Sequence, residues 1–83
     1  MERKRVEGSN LREIGHEQGV GLEVQFHAKG CPARSGAACA CDGGDVWRYP
    51  NVTAGEYVAL VSAPSKGAHF HAFIRNRHVG EQL

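Results

Sequence analysis

The 83-residue chain has little of what usually staples a small fold. It contains three cysteines, three prolines, one methionine and one tryptophan. Cys31, Cys39 and Cys41 all fall in one short stretch, and an odd, crowded set makes a poor disulfide framework. A packed core, rather than covalent cross-links, must therefore hold the fold. No apolar run approaches the ~20 residues that a membrane-spanning helix needs. The opening residues, Met1-Glu2-Arg3-Lys4-Arg5-Val6-Glu7, are basic but lack the apolar stretch of a signal peptide. A reducing, cytoplasmic setting with no membrane partner is the expectation. Charge of one sign is missing too: ten Lys+Arg stand against nine Asp+Glu, for a net +1. That balance excludes a strongly cationic binder of polyanions, with the five histidines as the only reserve of positive charge.

What is present is globular composition, 41% apolar and 23% charged, in a length that suits one small domain over 1–83. Leu11-Arg12-Glu13-Ile14-Gly15-His16-Glu17 reads as a weakly patterned strand, after a polar stretch with the turn-like cluster Gly8-Ser9-Asn10. Gln18-Gly19-Val20-Gly21 suits a hairpin turn. Leu22-Glu23-Val24-Gln25-Phe26-His27 then alternates apolar and polar, the clearest strand signal in the chain. From Lys29 to Asp45 periodicity gives way to Gly, Pro, Ala and Cys, a connection long enough to be mobile or functional. Val46-Trp47-Arg48-Tyr49 reads as the third strand, with Trp47 and Tyr49 on one face and Arg48 on the other.

The last third reads as helical. Thr53-Ala54-Gly55-Glu56 fits a capping box, and Tyr57, Leu60 and Val61 make an apolar face on a helix from about Ala54 to Ala63, stopped by Pro64. This cap is also the simpler reading of the formal sequon Asn51-Val52-Thr53. Ser65 can cap a second helix that reaches about Arg75, with Phe70, Phe73 and Ile74 as its buried stripe. The tail from Asn76 to Leu83 reads as irregular. The expected fold class is α+β: a three-stranded antiparallel β-meander followed by two C-terminal helices packed on one face. Its core would comprise Leu11, Ile14, Leu22, Val24, Phe26, Trp47, Tyr49, Val52, Tyr57, Leu60, Val61, Phe70, Phe73 and Ile74.

Several segments together resemble the KTSC domain, a family named for a domain at the C-terminus of some lysyl-tRNA synthetases and also met as stand-alone small proteins of bacteria and phages. They are Val6, Ser9-Asn10-Leu11, Ile14-Gly15, Leu22 to Phe26, Val46 to Tyr49, Val52 and Glu56-Tyr57. The most specific stretch is Ala63-Pro64-Ser65-Lys66-Gly67, followed by Phe70, Ile74-Arg75-Asn76 and Arg77. The resemblance spans nearly the whole chain and implies a β-meander followed by two helices. It leaves uncovered a Cys-bearing loop insertion at about 29–44. His69, His71 and His78 stand where the family usually has Tyr, Asn and Tyr, and Phe73 where it has Asn. The synthetase context implies RNA binding; a protein–protein adaptor, a phage or prophage factor acting on host machinery, is the alternative.

Two constellations could carry a function. His27, Cys31, Cys39 and Cys41 supply one imidazole and three thiols within fifteen residues, a donor set that suits zinc. The spacing departs from paired Cys-x2-Cys knuckles, His27 must turn out of its strand to join, and a loop with incidental reduced thiols is the alternative. No other cofactor is expected. Arg48, Ser65, Lys66, Arg75 and Arg77 form the second set, a candidate surface for nucleic acid or another anion, with His69, His71, His78 and the Arg3-Lys4-Arg5 run beside it. Ser65-Lys66-Gly67 at a helix start could hold a phosphate or simply cap the helix. Acids such as Glu13, Glu17 and Glu23 offset the basic residues, and Phe70 and Phe73 read as core rather than as stacking platforms. No catalytic residue is assigned. His69 and His71 are two apart and face different ways on a helix, and no orienting third group joins a Cys–His pair, so an enzyme is not expected.

Overall fold

The computed structural model describes residues 2–6 and 10–83. Gly8 and Ser9 of the turn-like cluster, and Glu7 before them, lie outside the described residues. Five strands run in chain order as one antiparallel meander: β1 (Lys4–Arg5), β2 (Leu11–Glu17), β3 (Gly21–Phe26), β4 (Val46–Tyr49) and β5 (Glu81–Gln82). The helices α1 (Ala54–Ser62) and α2 (Lys66–Phe70) lie between β4 and β5, and α2 continues into a π-helical turn over His71–Arg75.

The central hairpin follows from pattern and turn chemistry. Ile14 pairs with Val24 and His16 with Leu22, so the apolar side chains share a face. Gly19 and Gly21 both take left-handed backbone in the turn, with φ of 85° and 108°. A Cβ on Gly21 would also stand 2.4 Å from the Tyr49 carbonyl oxygen, so only glycine lets β4 end this close to the turn. Between Leu11 and Glu13, β2 carries one extra residue relative to β3, a bulge that falls on Arg12.

The core lies between the sheet and the helices. Leu11, Ile14, Leu22, Val24, Tyr49, Val52, Leu60, Phe70 and Ile74 are buried together, with Phe26, Trp47, Tyr57, Val61 and also Val6 packed against them. Tyr49 and Phe26 both meet the Phe70 ring edge-on, at centroid distances of 5.5 and 5.7 Å. Helix α1 starts with the expected capping box: Thr53 Oγ1 accepts from the Glu56 N–H, and Glu56 Oε1 accepts from the Thr53 N–H. His78 reaches back to Glu56 Oε2 at 2.7 Å and ties the end of the second helical segment to the start of α1.

Three expectations need correction. The sheet has five strands, not three, because β1 pairs with β2 and the supposedly irregular tail supplies β5, paired with β4 through Trp47–Gln82 and Arg48–Glu81. The second helix is not uniformly α: it widens at His71. Phe73 is consequently not core but 46% exposed. Widening from i→i+4 to i→i+5 bonding slows the angular advance per residue, so Ile74 stays over Phe70 while Phe73 swings to the side.

The opposite face of the sheet is a polar network. Glu23, only 5% exposed, accepts from Arg48 Nη2 at 3.0 Å and from Arg3. Arg3 reaches it across Gly15, where a Cβ would stand 2.4 Å from the Glu2 carbonyl oxygen. Burial acts to raise the Glu23 carboxyl, but the guanidinium donors of Arg48 and Arg3 outweigh it and hold it below the usual carboxylate range.

Candidate functional site

The 27–45 connection is built around its cysteines and one histidine. His27 follows directly on β3, and its N–H donates to the Asn10 carbonyl at 3.0 Å. With the strand ended, its ring leaves the β3 face and is 4% exposed. Cys31 precedes a 3-10 turn over Pro32–Ser35, which Gly36 closes in left-handed backbone at φ 92°. The return segment carries Cys39 and Cys41 back over the His27 ring before β4. Phe26 and residues 44 and 45 close the connection: the Gly44 N–H donates to the Phe26 carbonyl at 2.8 Å and the Phe26 N–H to that of Asp45 at 3.0 Å.

The four sequence-predicted donors converge. Sγ–Sγ separations are 3.9 Å for Cys31–Cys39 and 3.7 Å for Cys39–Cys41, and His27 Nδ1 lies 3.9 Å from the sulfurs of both Cys31 and Cys41. All four donor atoms lie within 4.8 Å of one another. None of the three cysteines is paired in a disulfide. The Ala28 N–H points at Cys41 Sγ from 3.4 Å and is the main cause that brings this thiol down to about 7. Backbone hydrogen bonding at Cys41 lowers Cys39 as well, helped by hydrogen bonds from Cys31 and from the Arg12 guanidinium. Arg12 is the bulged residue of β2, and the bulge aims its side chain at Gln25 Oε1, 2.7 Å away, and at this cluster.

The candidate anion-binding residues do not converge. Arg48 lies on the far face of the sheet, in its ion pair with Glu23. Ser65 Oγ accepts from the Ala68 N–H at 3.5 Å, an ordinary cap, and Lys66 Nζ donates to the Ala63 carbonyl at 3.4 Å. Arg77 stacks over the exposed Phe73 ring at 5.3 Å, with His69 on the same ring at 4.7 Å. Arg77 also lines a small hollow, but with the Glu56 carboxylate beside it, whereas Arg75 opens on a larger concave surface.

That surface consists of two adjoining cavities that share Phe26 and Arg75. One, of about 170 Å³, is lined by Phe26, Trp47, Tyr49 and Arg75. The other, of about 180 Å³, adds Asn10, Arg34, Gly67, Phe70 and His71. Among the described residues no carboxylate lines either cavity. Burial raises the Tyr49 phenol while the Arg75 charge pulls the other way, which places that guanidinium within electrostatic reach of the ring hydroxyl. Arg34 was missed by sequence reasoning. It sits in an aperiodic loop, and only the 3-10 turn brings it to the groove, with its N–H held by the Cys31 carbonyl at 3.1 Å.

Comparison with known proteins matches this architecture to one family. The KTSC domain family matches residues 7–78. The crystal structure of a KTSC domain protein from Yersinia pestis superposes with a TM-score of 0.73 at 23% identity, covering 99% of this chain and 96% of that one. At that identity the likeness is one of fold. None of the curated proteins matches the chain.

Proposed function

The chain belongs to the KTSC domain family, and from that premise we propose that it is a small non-enzymatic binding module whose groove takes single-stranded RNA. One observation carries the reading: Arg75 joins an aromatic cavity to a basic one, and among the described residues neither has a carboxylate in its lining. Single-stranded nucleic acid asks for this pairing, with aromatic faces for bases and guanidinium groups for phosphates. Phe26 and Trp47 are half-buried, so each is anchored in the core while part of it meets the groove. Arg34 and Arg75 are exposed and carry no carboxylate partner among the described ion pairs. The net charge of +1 is no obstacle, because the acids Glu13 and Glu23 are engaged by arginines on the other face. Among the described residues no helix is long and apolar enough to cross a membrane. The reading puts the protein in the cytoplasm, where its thiols stay reduced.

Trp47 is the single tryptophan and lines the groove, so its emission reports binding. A short oligouridylate should quench it at low salt. Two arginine–phosphate contacts predict a slope of about −1.4 for log affinity against log salt, and Arg75→Ala should remove about 0.7 of it. The loss of one charge-assisted contact should weaken binding on the order of 10-fold. Arg48→Lys, across the sheet, should change neither. No quenching at low salt by RNA or single-stranded DNA would end the nucleic-acid reading and leave the adaptor alternative.

A further inference from the structure

We infer that His27, Cys31, Cys39 and Cys41 form a structural site for a single zinc ion. Bonds of ~2.3 Å to sulfur and ~2.0 Å to imidazole nitrogen set the edges of a tetrahedron at about 3.8 Å between sulfurs and about 3.5 Å between sulfur and nitrogen. The two close sulfur pairs stand at 3.9 and 3.7 Å, and the two close sulfur–nitrogen pairs at 3.9 Å. Four of the six donor pairs are therefore close to coordination spacing, and a small inward shift of the others closes the tetrahedron. All of them fit within 4.8 Å, the scale of one ion rather than a multi-iron cluster. Three thiolates and one imidazole in a tetrahedron favour zinc over the harder divalent cations. Four protein ligands fill the coordination sphere and leave no open position for substrate, so the ion's role is to hold the 27–45 connection together rather than to catalyse.

The surroundings fit a metal-thiolate centre. Zinc with three thiolates and a neutral imidazole carries one net negative charge, and the positively charged Arg12 guanidinium lies against Cys39. The Ala28 N–H points at Cys41 Sγ, as a donor to a metal-bound sulfur would. Binding releases the protons of whichever thiols are still protonated, and no electrons move. Arg12 is a positioning residue: its place on the β2 bulge sets it against the cluster without supplying a donor atom.

The test is metal analysis of the purified full chain, followed by cobalt(II) titration of the chelator-treated protein. The expected result is one zinc per chain, with the three thiols unreactive until a chelator removes it. Cobalt(II) should then give the intense visible bands of a tetrahedral ion and thiolate charge-transfer absorption, saturating at one equivalent. Arg12→Gln should keep this spectrum and weaken cobalt(II) binding by roughly 10–100-fold, the usual cost of a lost outer partner. His27→Cys should also keep a tetrahedral spectrum, with stronger charge-transfer absorption, which guards against a variant that merely fails to fold. Zinc-free protein whose wild-type chain gives no tetrahedral cobalt spectrum would overturn the proposal. So would three thiols that react freely in the protein as purified.

Discussion

Glu23→Gln is the most informative single change to the scaffold. Glu23 is buried at 5% exposure on β3 and accepts from Arg48 at 3.0 Å and from Arg3. Removing one member of a fully buried ion pair costs ~3–5 kcal/mol. The Arg48 and Arg3 side chains keep 35% and 24% exposure, so water takes back part of their charge. Glutamine also still accepts one hydrogen bond. The expected loss is therefore lower, about 2 kcal/mol. For a domain of this size that is about 8–16 °C in Tm. The pH dependence has a definite sign. The folded-state Glu23 carboxyl lies below its ordinary value, so its contribution is complete above the unfolded pKa of ~4.3 and is lost as pH falls through the lower folded value. Glutamine does not titrate, so the stability gap seen at neutral pH should close on acidification. Urea denaturation of both proteins at neutral and acid pH measures it. A neutral-pH gap below about 0.5 kcal/mol, the range of ordinary surface changes, would refute the network's role. A gap unchanged into strong acid would refute the linkage.

Other consequences are open to direct measurement. Leu60→Ala, at a fully buried site, should cost about 3 kcal/mol in urea denaturation. Phe73→Ala should cost about 1 kcal/mol or less, against the ~3–5 kcal/mol of a core phenylalanine, and a loss in that upper range would restore Phe73 to the core. Gly21→Ala combines a φ of 108° with a 2.4 Å approach to the Tyr49 carbonyl, so it should lower Tm more than Gly19→Ala, whose Cβ would meet nothing within 4 Å. Equal Tm values for the two variants would show that the β3–β4 approach gives way easily.

The legible parts of the fold were those whose signal is local. Alternation over 22–26 marked β3, the Thr53–Glu56 pair marked the start of α1, and the apolar stripe led to Leu60, Phe70 and Ile74. Strands β1 and β5 have two residues each, too few to show a period, and exist because neighbouring strands offer them edges. The π-helical turn was illegible for another reason: 70, 73 and 74 form a sound α-helical stripe until one widened turn displaces Phe73. The metal-type residues were legible as a donor set. Their convergence was not, since it depends on His27 lying past the end of β3 and on the 3-10 turn at Pro32–Ser35 that returns the chain over it. The groove was the least legible, because Phe26, Arg34, Trp47 and Arg75 come from four separate elements of the chain. The net charge gave no hint of it, as Glu13 and Glu23, which offset arginines in the sum, lie on the other face of the sheet.

Amide and indole chemical-shift mapping with a short single-stranded oligoribonucleotide at low salt tests the central claim most directly. Perturbations should cluster at the Trp47 indole, Phe26, Arg34, His71 and Arg75, and fade as salt rises. Shifts confined to the Arg3–Glu23–Arg48 face, or none at all, would contradict it.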